Sequence, residues 1–115
     1  MDKESRKFLE DILQAIASIE KHLGNKHDFN FFHQNFTVRR AIQFEILVIG
    51  EAVTRLVKLE AQVTITDSKK IISMRNKIVH EYDIVDETQI WAVVVKHLPI
   101  LKLEVGKILA DDQLA

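Results

Sequence analysis

Residues 38–57 read VRRAIQFEILVIGEAVTRLV. Apolar side chains stand at Val38, Ala41, Ile42, Phe44, Ile46 to Ile49, Ala52, Val53, Leu56 and Val57, more of a helix's circumference than one buried face uses. A helix of this kind needs cover on two sides, so it either sits centrally in a larger fold or forms an interface between copies. In a chain of 115 residues the homodimer is the more economical expectation. Thr37 is expected to cap the helix, and Gln62 lies near its end.

Working outward, Leu9, Ile12, Ile16, Ile19 and Leu23 recur at three- and four-residue steps with charged residues between them, which predicts a first helix ending near Gly24. From Gly24 to Asn35 the sequence GNKHDFNFFHQN loses all period and reads as a connection. Thr66, Asp67 or Ser68 is expected to cap a third helix, and Asp86 with Gln89 resembles a capping box opening a fourth. Ile90, Val93, Val94, His97, Leu98, Leu101, Val105 and Ile108 line one side of that last helix. Pro99 should kink it, because proline has no amide to donate. With 3 glycines and 1 proline there are few places to turn. The expectation is one all-α domain over residues 1–115, an up-and-down antiparallel bundle of four to five helices that pairs as a homodimer.

Composition narrows the function. The absence of cysteine excludes disulfides, thiolate metal sites and cysteine nucleophiles. No apolar run approaches a membrane span, and the charged start MDKESRKFLEDILQ lacks a signal-peptide block, so a soluble, cytoplasmic chain without membrane partners is expected. A formal net charge of -1 gives no global attraction for nucleic acid, so any polyanion site must be a local patch. His22, His27 and His33 lack the spacing of metal ligands, and neither metal nor cofactor is expected. Phe29, Phe31, Phe32 and Phe36 crowd the first connection, where they are expected to cap an end of the bundle; base stacking or a grip on a protein partner is the alternative. His97 is expected in the core or at an interface.

The chemistry concentrates in Met74-Arg75-Asn76-Lys77-Ile78-Val79-His80-Glu81-Tyr82. On a helical wheel Ile71, Met74, Ile78 and Tyr82 share an arc, and Arg75 points into its middle. A guanidinium there needs an acidic partner or a wet cleft; Glu45, near an apolar stripe of the second helix, is the partner considered. Asn76 and His80 are four apart on another face, about 140° from Arg75 in the case of His80. A distortion of the helix or a second copy across a groove would bring them together. Between Ser68 and His80 the charged residues are Lys69, Lys70, Arg75 and Lys77, a cationic patch suited to steering phosphate.

The segment Arg75 to Tyr82 resembles the Rx4HxY signature of HepT-type proteins in the HEPN superfamily. Ile49-Gly50-Glu51-Ala52 is similar to that family's GEA segment, and Tyr82 to Asp86, Trp91 and Leu98-Pro99 to its C-terminal half. The likeness runs from about Val38 to Leu103; Ile65 to Ser68 departs from it, standing where the family carries a tryptophan. The resemblance implies a homodimeric helical bundle and a metal-independent endoribonuclease toxin of a type VII-like toxin–antitoxin pair. Arg75 and His80 would be catalytic, with Asn76 assisting; beside them the cationic patch of Lys69, Lys70 and Lys77, read from its charge alone, is the expected RNA-binding surface. Tyr82 would be the hydroxyl adenylylated by a cognate, ATP-using nucleotidyltransferase antitoxin. Histidine suits proton transfer near neutrality, and arginine grips phosphate oxygens without titrating. The rival reading is a non-catalytic nucleotide- or partner-binding subunit of a two-component nucleotidyltransferase. A plain dimerisation domain, with Arg75 paired in a closed interior, is the third.

Overall fold

The computed structural model describes residues 1–114; Ala115, the last residue of the expected domain, lies outside them. The helices are α1 (Lys3–Leu23), α2 (Phe29–Gln34), α3 (Phe36–Leu59), α4 (Ser68–Glu81), α5 (Glu87–Ala92) and α6 (Leu98–Leu114). A π turn, Val93–His97, joins α5 to α6 without a break, so the two form one rod. Among the described residues there is no strand, and no helix is long and apolar enough to cross a membrane.

Polar side-chain contacts between helices fix the directions. The Met1 amino group lies 3.3 Å from Asp112, and Lys102 lies 3.0 Å from Glu20, so α1 and α6 run antiparallel. Asp67 meets His97 at 3.0 Å and Lys77 meets Gln89 at 3.4 Å, so α4 is antiparallel to the rod as well. The central member is α3, packed against α1 on one side and α4 on the other. Ile42, Ile46, Ile49, Val53 and Leu56 on it are wholly buried, each such side chain contributing about 1.5–3 kcal/mol of transfer free energy. The chain's own helices therefore supply both sides of cover for most of α3. Phe36 and Phe44, at 60% and 62% exposure, remain uncovered.

Local chemistry explains the boundaries, including three that differ from expectation. Within the expected connection, Asp28 accepts a hydrogen bond from the Phe31 amide at 2.7 Å and opens α2. Phe32 is buried there, stacked on Trp91 at 5.2 Å, and Phe29 packs beside both, closing that end of the bundle. The segment is too short to show a period, so only its cap signals it. For α3 the cap is Asn35, accepting from the Val38 amide at 3.1 Å; Thr37 is already inside the helix, which ends at Leu59. Asp86 does cap α5, but the Gln89 side chain accepts from Lys77 and makes no reciprocal bond to the Asp86 amide; Gln89 meets Asp86 only through its own backbone amide. Pro99 sits within the first turn of α6, and the disturbance falls one turn earlier, where the Leu98 amide bonds the Val93 carbonyl across the wider π spacing.

The capping carboxylates give the fold an acid limit. Hydrogen bonds from the Ser5 backbone amide hold Asp2 below the usual carboxylate range, and those from the Thr88 hydroxyl and amide do the same for Asp86. A lowered folded pKa contributes stability above the ordinary value of about 4, and that contribution is lost as pH falls through the depressed value. Asp86→Asn keeps a good cap without the titration. Thermal melts should show it close to the parent at pH 7 and losing less stability than the parent between about pH 5 and pH 2.

Candidate active site

Helix α4 turns Ile71, Met74 and Ile78 into the core. Arg75, beside them, lies against α3 where α3 has no side chain. A Cβ built on Gly50 would stand 2.3 Å from the Cβ and 2.6 Å from the Cγ of Arg75. The missing methyl lets the aliphatic stem of Arg75 cross the α3 backbone, and the guanidinium emerges at the edge of the contact, 30% exposed. There Nη2 lies 3.2 Å from Glu51 Oε2, and Nη1 donates to Asn76 Oδ1 at 3.0 Å. The rest of its donor fork stays available to an anion.

Glu51 also accepts from Arg55 Nε at 2.7 Å. That bond, followed by the charges of Arg55, Arg75 and Lys58, holds its carboxyl below the usual range, so it stays anionic at neutral pH. The same bond raises Arg55. Glu45, the partner considered from sequence, instead lines a hollow beside Asp11, Gln14 and Lys21 of α1. Both glutamates border the apolar stripe, and hydropathy does not say which border faces α4; the glycine next to Glu51 is the signal that could have. The pair is not sealed in an interior, since Arg75 and Glu51 both keep solvent contact.

Asn76 and His80, one turn apart and exposed, line an open hollow of about 480 Å³ with Lys69, Ser73 and Lys77. Lys70 lines a neighbouring hollow with Lys69, Lys77 and His97. Helix α4 stays regular to Glu81, so the distortion that would swing His80 toward Arg75 does not occur. Asn76 is the link between them: it bonds the guanidinium and walls the histidine's hollow. Tyr82, 65% exposed, follows the last residue of α4 and lies outside both linings. Sequence reasoning missed Gly50 and Glu51 as neighbours of Arg75, and missed the pairing of half-buried His97 with Asp67. Among the described residues no three His, Asp or Glu side chains converge to hold a metal ion; His33 bonds Glu87 at 2.8 Å.

An all-α bundle presenting arginine, asparagine and histidine along one lysine-flanked helix carries the groups that ribonuclease chemistry uses. A family model described as ribonuclease HepT-like matches residues 12–108, and the chain belongs to that family. A candidate RNase of Caldanaerobacter subterraneus subsp. tengcongensis is 34% identical over 113 residues, covering 96% of this chain and 99% of the relative. One from Methanocaldococcus jannaschii is 29% identical over 110 residues, covering 95% and 90%. A longer protein of the same archaeon, named as a gamma-glutamylcyclotransferase and candidate RNase, is 31% identical over 112 residues; they make up 96% of this chain and 50% of that protein. The chain thus spans half the length of that relative and nearly all of the other two. No solved structure matches.

The close approach at Gly50 makes a paired prediction. Gly50→Ala should destabilise the protein by about 1–3 kcal/mol through overpacking. Adding Arg75→Ala should not rescue it, because the Cβ of residue 75 is itself in the way. Gly106→Ala, where nothing lies within 4 Å, should gain roughly 0.5–1 kcal/mol. Denaturant titrations of the three variants check the signs.

Proposed function

We propose that this chain is a metal-independent endoribonuclease toxin that works as a homodimer on RNA bound across α4. The observation that carries this reading is the position of Asn76, hydrogen-bonded to Arg75 and lining the open hollow of His80. In the proposed reaction a histidine takes the 2′-OH proton, and O2′ attacks the adjacent phosphorus. The 5′-oxygen leaves with a proton from an acid, giving a 2′,3′-cyclic phosphate and a 5′-OH. Arg75, held by Glu51 and Asn76, stabilises the charge that builds on the non-bridging oxygens. Two copies supply two histidines, one as base and one as acid, and the uncovered Phe44 on α3 supports such pairing. Lys69, Lys70 and Lys77 hold the strand by its phosphates.

Silencing falls to a cognate nucleotidyltransferase antitoxin. The exposed phenol of Tyr82 attacks the α-phosphorus of ATP, pyrophosphate leaves, the phenolic proton goes to solvent, and AMP remains bonded near His80. The added phosphate neutralises the cationic face and obstructs it.

The purified protein should cleave single-stranded RNA in EDTA and leave cyclic 2′,3′-phosphate ends. Folded His80→Ala should lose about 10²–10⁴-fold in rate, read by fluorescence-quenched RNA cleavage with circular dichroism as the control for folding. Retained cleavage removes His80 from the mechanism, and a strict Mg²⁺ requirement contradicts the metal-free scheme.

A further inference from the structure

The three lysines of the scheme above also line a second hollow, whose remaining walls, His97 among them, have no role in that scheme. This hollow lies between α4 and the π turn, with a volume of about 360 Å³, and its walls include Lys69, Lys70, Ser73, Lys77, Gln89 and His97 but no acidic residue. Lys69, Ser73 and Lys77 line both hollows. Standing four residues apart, they form one ridge along α4, with the His80 hollow on one flank and the His97 hollow on the other.

His97 is held in place by an uncommon arrangement. Asp67 is the residue before α4, yet its side chain makes no capping bond. Its Oδ2 is shut off from solvent without a hydrogen bond and lies 3.0 Å from His97 Nδ1. The carboxylate has been diverted from the helix start to the imidazole, although a cap there is worth about 1 kcal/mol. His97 has the Asp67 carboxylate at Nδ1 and also lines the lysine-walled hollow, so one ring joins the buried carboxylate to the wall of a cationic recess.

We propose that this hollow binds a phosphodiester of the RNA strand adjacent to the one presented to His80. The backbone crosses the Lys69–Ser73–Lys77 ridge, and Lys70 and His97 contact the second phosphate. The inference rests on the reading of α4 as the RNA face, and it assigns His97 and Asp67 to substrate binding, with Asp67 a positioning residue.

The test uses a 2′-O-methylated single-stranded decaribonucleotide, which binds without being cut, with inorganic phosphate and AMP as separate ligands. Lys70→Gln and His97→Gln should each weaken decamer binding about tenfold, and Lys70→Gln should lower the salt slope of log K by about 0.7. Should His97→Gln fail to fold, the exposed Lys70 variant decides alone. Wild-type affinity for the decamer in folded variants overturns the subsite. So does a weakening confined to inorganic phosphate or AMP, which would make the hollow a site for small phosphates. His80→Ala separates the two readings. If it stops cleavage while the Lys70 and His97 variants bind normally, the nuclease stands and the subsite falls. If it leaves cleavage intact while they bind weakly, the subsite stands and the role of His80 falls.

Discussion

The approach of two helix backbones at Gly50 is the constraint on which the rest depends. Helices usually keep 8–10 Å between axes because side chains fill the space. Removing one side chain from α3 lets the Arg75 stem lie directly on the main chain, which fixes the spacing of α3 and α4 and aims the guanidinium. The arrangement is a desolvated hydrocarbon stem with a charged tip at the rim. A lysine on the same stem would lack the planar fork that meets Glu51 with one nitrogen and Asn76 with another.

A net charge of -1 conceals a sorted distribution. Glu51 is the acid at the α3–α4 rim, shared by Arg55 and Arg75, so that rim keeps an excess of positive charge. Beyond it the exposed side of α4 carries Lys69, Lys70 and Lys77, with Glu81 as the one acid at its end, while acids elsewhere tie the bundle together: Asp112 to the amino terminus, Glu20 to Lys102, Glu87 to Arg39 and His33. Acids that brace the scaffold are thereby kept away from the lysine-bearing side of α4.

The parts of the fold set by periodicity were legible in the sequence. The stripe from Leu9 to Leu23, the broad apolar surface of α3 and the inward residues of α4 follow from hydropathy alone, and so does the all-α bundle. Features decided by a single contact were not. The six-residue α2 exists because Asp28 caps it and Phe32 meets Trp91, a partner far away in sequence. The expectation that Pro99 would kink the last helix located the disturbance but not its form, since a π turn depends on backbone spacing that no pattern encodes. At the site, the octapeptide singled out Arg75, Asn76 and His80, yet the choice of Glu51 over Glu45 required knowing which border of α3 faces α4. His97 was expected in the core or at an interface, and its carboxylate partner lies thirty residues earlier, beyond the reach of any local reading.

The diverted carboxylate at Asp67 also bears on motion. Asp2, Asp28, Asn35 and Asp86 each anchor the opening turn of the helix they precede, whereas α4 starts with no such anchor and borrows its hold from the rod across the bundle. Local opening begins where amides are least secured, and the first turn of α4 lacks the side-chain cap that secures the other four. The same turn carries Lys69 and Lys70, so the uncapped stretch of backbone lies under two exposed cations.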